Sequence, residues 1–335
     1  MDETDIGTRD ARGHWRPNKR LSYPPVFSSD INLAAFARWL KGFLFGWNLG
    51  WALLAVLFWV WLTPPLEQFA TFSLESIAVV LARNTVLVLV FFGAYHLRLY
   101  WKRAQGTQYK YNPEWLAENK STFLFRNQTR DNLFWTFASA VPVWTAYEVL
   151  TLWAMANGHI TTITWQENPV WFIAVLLFIP LFREAHFYFT HRLIHWKPLY
   201  RRVHSLHHKN INPGPWSGLA MHPVEHLIYF SGVLLHWVVA SHPVHAIFHL
   251  IHLGLAPAAG HSGFEKVVVG KDKSLDTHCF AHYLHHKHFE CNYSDGVIPL
   301  DKWFGTFHDG SDESFARMRQ RLKEKRSSRT QKLTS

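Results

Sequence analysis

Histidine is the residue type whose placement in this 335-residue chain asks for a chemical explanation. There are 23, and 19 of them fall between His186 and His288; the others are His14, His96, His159 and His308. Neutral imidazole is the commonest protein ligand for metal ions. In a metal-buffering tract the intervening residues would be polar and of low complexity. Here they are Phe, Tyr, Leu and Trp, which places the histidines on structured elements. His204, His207 and His208 stand at i, i+3 and i+4, on one face of a helix. His282, His285 and His286 repeat that spacing far downstream. His186 and His191 are five apart, an offset of about 140° on an ideal helix. Long rotamers can still bring them to one metal pair, or each can serve a different metal. His195, one turn beyond His191, either stabilises the helix or adds a ligand.

The donor set narrows the chemistry. A structural zinc takes four ligands and a catalytic zinc three, so the eight histidines of these boxes suit two metals of higher coordination number with open positions. Soluble di-iron bundles use Glu-x-x-His motifs; this chain has none, and no His-Glu-x-x-His. An uncharged imidazole set leaves the metals electrophilic, as activation of O₂ beside a strong C–H bond requires.

The elements that must position these side chains read as membrane helices. Apolar residues make up 48% of the chain, with 17 Trp and 26 Phe. Four apolar runs approach the roughly 20 residues a bilayer needs: Phe43–Leu62, Ile77–Leu97 with Arg83 and Asn84 inside it, Leu133–Met155 with Pro142 and Glu148, and Pro169–Phe182. The loops 63–76 and 157–168 hold no Lys or Arg, while the other flanks are rich in both. The positive-inside rule then puts both termini and everything after Phe182 on the cytoplasmic side. Two shorter pieces, Leu227–Ala240 and Val244–Ala256, meet at Ser241-His242-Pro243 and predict a re-entrant or buried helical hairpin. The formal charge of +10 flanks apolar runs and accompanies no nucleic-acid motif, so it points to lipid and not to nucleic acid. Cys279 and Cys291 are too few for a disulfide framework and read as packing residues. The first forty residues do not read as a signal peptide.

With these motifs in view, the chain resembles the fatty acid hydroxylase/sterol desaturase superfamily of membrane di-iron enzymes. The pattern H-x(3–4)-H, H-x-x-H-H, H-x-x-H-H is met by HFYFTH at 186–191, HSLHH at 204–208 and HYLHH at 282–286. HRLIH at 191–195 is also similar to the family's first box. AMHPVEH at 220–226, HSGF at 261–264, CNYSD at 291–295 and DKWFGT at 301–306 resemble its remaining segments, over about residues 170–310. The resemblance implies His186, His191, His204, His207, His208, His282, His285 and His286 as ligands of two iron ions. It implies His222 and His261 as further ligands or as groups that hold ligands, and Asn292 as a water-mediated partner. Glu184, Glu225 and His195 are candidates for orienting an imidazole. His226, His278 and His288 are weaker candidates beside the boxes. His236, His242, His245, His249 and His252 are read as lining or packing the hairpin.

The fold expected is therefore all-α: an integral membrane bundle of about four transmembrane helices plus the hairpin, with a His-rich cytoplasmic cap. Its expected parts are an arm (1–42), membrane helices (43–168), a catalytic domain (169–310) and a basic tail (311–335). The expected activity is O₂-dependent hydroxylation or desaturation of a membrane lipid, fatty acyl or sterol-like. With no G-x-G-x-x-G, P-loop or C-x-x-C-H in the sequence, electrons would come from a separate ferredoxin or cytochrome b5-like donor with its reductase. Trp165, Trp171, Trp196 and Trp216 are candidates for the mouth of the site. The lack of an ER-retrieval signal points to a bacterial inner membrane. Competing readings are a His-rich metal transporter and a haem-b electron carrier.

Overall fold

The computed structural model describes residues 3–28, 32–271 and 273–334. Asn32 starts the first long helix by accepting the Ala35 N–H, and helix α1 (Leu33–Leu62) follows, beginning well before the apolar run at Phe43. A kink at Gly46 interrupts it, with φ −85° and ψ −133°. Ser73 caps α2 (Leu74–Trp101) through the Ser76 N–H. Asn127 caps a helix over 128–156, here α3, through the Arg130 N–H. Pro169, at the first turn where no N–H is needed, opens α4 (Pro169–Ile194).

Three of these four, α1, α2 and α4, are long and apolar enough to cross a membrane. The expected third span is helical but turned inward. Ser139, Thr145, Glu148 and Thr151 on α3 are buried against the other helices. An unpaired charge in such surroundings is prohibitive, and the polar residues of the two apolar runs answer each other. Arg83 pairs with Glu148 and donates to Thr63 Oγ1 at 2.7 Å, while Asn84 donates to Thr145 and Glu148.

The second arm of the expected hairpin is the centre of the bundle. After α5 (Pro223–Phe230) and a 3-10 turn at Ser231–Trp237, the chain reverses into α6 (Pro243–Gly260). Fourteen of its 18 residues are buried, as expected of a helix apolar on all sides. Gly254 lets it approach α3, because a Cβ there would lie 2.0 Å from the Trp144 ring.

Beyond α6 the chain forms an antiparallel hairpin, β3 (Lys266–Gly270) with β4 (Lys273–Asp276), then α7 (Phe280–His288) and α8 (Asp312–Thr334). The N-terminal arm is not a loose segment. Its own hairpin, β1 (Gly7–Arg9) with β2 (Trp15–Pro17), buries Trp15 against Tyr109 and Tyr111. Arg16 and Arg20 tie it to Asp312 and Glu313 at the start of α8. The small strands aside, the protein is mostly helical.

Candidate metal centre

Nine histidines converge in two adjacent groups. His191, His195, His204, His208 and His285 form one; His207, His261, His282 and His286 form the other. Within each group the donor nitrogens lie within 4.8 Å of one another. Helix spacing explains the division. The second box sends its i and i+4 residues, His204 and His208, to the first group and His207 to the second. The third box does the reverse, sending His282 and His286 to the second group and His285 to the first. The end of α4 adds the i, i+4 pair His191 and His195, and His261, just past α6, completes the second group. The two groups stand back to back, with the His208 and His286 rings 5.0 Å apart.

The nitrogen spacing carries chemical information. With metal–nitrogen bonds near 2.1 Å, two ligands at a right angle sit about 3.0 Å apart and tetrahedral ones about 3.4 Å. The Nε2 atoms of His204, His208 and His285 each lie 3.1 Å from that of His195, and His208 to His285 is 3.0 Å. In the second group His282–His261 is 2.9 Å, and His261–His286 and His286–His282 are 3.1 Å. Such spacings are those of neighbouring donors that could share one ion.

The His207–His261 contact is not a hydrogen bond. The Nδ1 of His191 donates to Tyr293 O (2.8 Å), that of His285 to Cys291 O (2.7 Å), that of His261 to Pro257 O (3.0 Å) and that of His207 to Ala220 O (3.3 Å). A carbonyl only accepts, so Nδ1 keeps the proton and a neutral ring presents a bare lone pair at Nε2. The His207 and His261 lone pairs face each other at 3.3 Å, and the buried His191 Nε2 has no partner. A cation between them removes the conflict. Burial holds the rings neutral, pressing His261 down to about 4, His195 to about 2, and His207 and His285 well below the ordinary imidazole value. Neutral imidazole is the form a metal binds.

Outer contacts fix the ring orientations, as metal-ligating histidines require. Glu225 Oε1 lies 2.7 Å from His204 Nδ1. Burial pushes this carboxyl well above the ordinary carboxylate range. Asp301 anchors the loop that supplies the Tyr293 carbonyl, accepting from Tyr293 N, Ser294 N and Ser294 Oγ at 2.8–2.9 Å. The CNYSD and DKWFGT segments thus meet at one buried carboxylate.

Some expected contributors are placed elsewhere. His186 belongs to neither group: its offset from His191 turns it toward Ser231, whose Oγ is 3.0 Å from His186 Nε2. His222 is the N-cap of α5, its Nδ1 accepting the Val224 N–H. Glu184 accepts the Gly296 and Val297 N–H groups and orients no imidazole of either group. Asn292 bridges to the backbone of His308 and Ala281. His195, expected to stabilise the helix, to orient an imidazole or to add a ligand, is central to the first group. His226 bonds to Ser139 and Leu219, and His288 stacks on His308. The thiols of Cys279 and Cys291 are buried, and their hydrogen bonds go to no ring nitrogen of the groups.

A cavity of about 1100 Å³ reaches the faces of His191, His204, His207, His261 and His282. Its wall continues over Phe187 and Tyr229 to Trp47, Trp51 and Phe91 between the membrane helices. Trp165, Trp171, Trp196 and Trp216 are not part of its lining. Trp216 is buried against Phe92 and Phe137, and the other three are exposed.

Comparison with known proteins agrees with this geometry: residues 175–306 match the fatty acid hydroxylase family. That segment belongs to the fatty acid hydroxylase family. Its relatives are distant. Methylsterol monooxygenase 1 of Gallus gallus is 29% identical over 147 residues, covering 42% of this chain and 49% of the relative. A Delta(7)-sterol 5(6)-desaturase of Gibberella zeae is 29% identical over 199 residues, covering 56% and 58%. A Delta(7)-sterol-C5(6)-desaturase of Nicotiana tabacum is 25% identical over 183 residues, covering 53% and 65%. The chain spans about half the length of the curated relatives it matches. No solved structure matches it.

Proposed function

We propose that this chain is a membrane-embedded dimetal oxygenase or desaturase acting on a C–H bond of a lipid, with the nine histidines of the two groups as ligands of two iron ions. One observation carries the reading: two back-to-back sets of imidazole nitrogens, at right-angle spacing, face an apolar cavity that runs between helices able to span a bilayer. The donor set fits the metal pair, being neutral, buried and otherwise repulsive. When bound, the irons supply O₂ activation and the oxidising power that an unactivated C–H bond needs. The protein's part is to orient five of the nine rings through Glu225 and the backbone carbonyls, to hold the lipid along Phe187 and Tyr229, and to keep water away from the reacting carbon. The names of the relatives favour a sterol-like substrate. Electrons would reach the site from a separate carrier protein, and α1, α2 and α4 would cross the membrane with α3 packed among them.

The haem-b reading fits less well, because four imidazoles at 3 Å edges leave no gap for a porphyrin. Metal analysis of purified protein decides between them. Two irons per chain without a Soret band are expected; a Soret band, or zinc bound in place of iron by protein made in iron-replete cells, overturns the proposal. Comparative lipid mass spectrometry of a deletion strain then identifies the substrate as the lipid that accumulates.

A further inference from the structure

Where the cavity is walled by α1 beyond its kink, by α2 and by α6, the lining is aromatic or small except at one place. There, Asn48 of α1 and His252 of α6 meet, with His252 Nε2 3.1 Å from Asn48 Oδ1. His252 is only 8% exposed, and its Nδ1 is buried without a partner. Asn48 sits just past the kink at Gly46, and its Nδ2 donates to Phe43 O at 2.9 Å. Pinning the kink uses one amide hydrogen and His252 uses one lone pair of Oδ1. One donor and one acceptor remain on the same amide, the complement of a single hydroxyl, which both gives and takes.

We propose that Asn48 and His252 form a subsite for one hydroxyl group of a lipid, setting how far along that lipid the metal-binding histidines meet it. The stripe His252, Ala256, Ala259 and Gly260 lines the cavity at the i, i+4, i+7 and i+8 positions of α6. His261 of the second group lies nine residues beyond His252, a rise of about 13.5 Å. A rigid lipid alcohol anchored at Asn48 therefore presents the end remote from its hydroxyl to the histidines. The small side chains between leave room for a flat ring system.

This inference rests on the cavity being a lipid site, as proposed above, but not on the oxidation chemistry. It is tested on metal-free, full-length protein in detergent, by competition of cholestanol and its deoxy analogue cholestane against tritiated cholestanol. Cholestanol should compete about tenfold better than cholestane. Asn48→Leu and His252→Leu should each bring the two within about twofold, with saturable binding retained, while His252→Gln keeps most of the preference. Equal competition in the wild type, no saturable binding, or a preference that survives His252→Leu overturns the subsite. Should the leucine variants fail to fold, cross-linking of the wild type with a cholestanol carrying a diazirine beside its hydroxyl decides the matter. Adducts on peptides containing Asn48 or His252 support the proposal, and adducts confined to other peptides overturn it. None of these outcomes depends on iron, so loss of the oxygenase reading through metal analysis is seen separately.

Discussion

Two sets of buried histidines lie in this bundle, and they differ in what their nitrogens face. In the set that spans the boxes, one nitrogen of His191, His207, His261 or His285 is given to a backbone carbonyl and the other converges on its neighbours. In the set around α6 the nitrogens have unlike partners. His245 Nε2 bonds to Phe172 O and its Nδ1 accepts the His242 N–H; His236 Nδ1 lies 2.8 Å from Ser241 Oγ. His236 and His249 make a single contact at 3.3 Å. Burial and density of histidine are similar in the two regions. A bound cation is called for only where lone pairs point at lone pairs, so that is the feature that separates a ligand from a packing residue.

The sharpest way to break this comparison is to remove one convergent ring from each group. The double replacement His207→Ala with His285→Ala should strip nearly all bound metal and lower turnover by more than about 100-fold, beyond what loss of an outer partner produces. Metal-to-protein ratio and product formation measure it. Full turnover with normal metal content would remove the basis of the proposed site. Glu225→Gln tests the next layer. The amide can still contact His204 but has no carboxyl to ionise when a cation is bound by that ring, and metal affinity or activity should fall about 10- to 100-fold. A Glu225→Gln protein that holds iron as tightly as the parent would mean that the carboxylate only packs.

Much of this was legible in the sequence because helix periodicity is strict. The i, i+3, i+4 spacing put all three histidines of each later box at the site, but it could not show that each box divides between two groups. That division depends on two short helices facing each other, which is a tertiary fact. His186 was misplaced by giving weight to the five-residue spacing of HFYFTH. The signal that would have corrected it was present, since His191 and His195 at i, i+4 share a face and His186 does not. His222 reads as a further ligand or a group that holds one, yet a residue preceding Pro223 is also well placed to cap a helix, and it does. The inward turn of α3 was foreshadowed by Glu148 opposite Arg83, two charges that no lipid-facing surface would carry. The backbone carbonyls of Cys291 and Tyr293 have no sequence signature at all, because any residue supplies one.

Acid should separate folding from metal loading. Burial depresses His226 to about 4, and His261 likewise, against an unfolded value near 6.5. Between those two values the unfolded chain takes up protons that the native chain refuses. Stability of the metal-free protein should therefore be greatest above about pH 6.5 and fall progressively toward pH 4, and His195, pressed to about 2, extends the fall below it. Summed over the buried rings the loss is on the order of several kcal/mol. Denaturant unfolding at a series of pH values reads this directly. A midpoint that stays flat from pH 7 to 4.5 would show that the rings are hydrated, not buried.

The smallest expected effect belongs to the histidines that should not bind metal. Ser241→Ala removes the hydroxyl beside His236 Nδ1 and leaves a fully buried ring nitrogen unpaired. The expected loss is about 1–3 kcal/mol of stability, the penalty for a buried polar atom without its partner. Bound metal should not change, and turnover at saturating substrate should stay within about threefold, because Ser241 and His236 lie outside both convergent groups. Thermal unfolding and metal analysis on the same preparation keep the two consequences apart. If iron were lost while the fold held, His236 and His249 would have to act on the site, and the distinction between convergent and dispersed nitrogens would fail where it is most exposed. If stability fell and iron stayed, the second histidine set would stand as what fills and satisfies the bundle, with its chemistry confined to the Asn48–His252 pair.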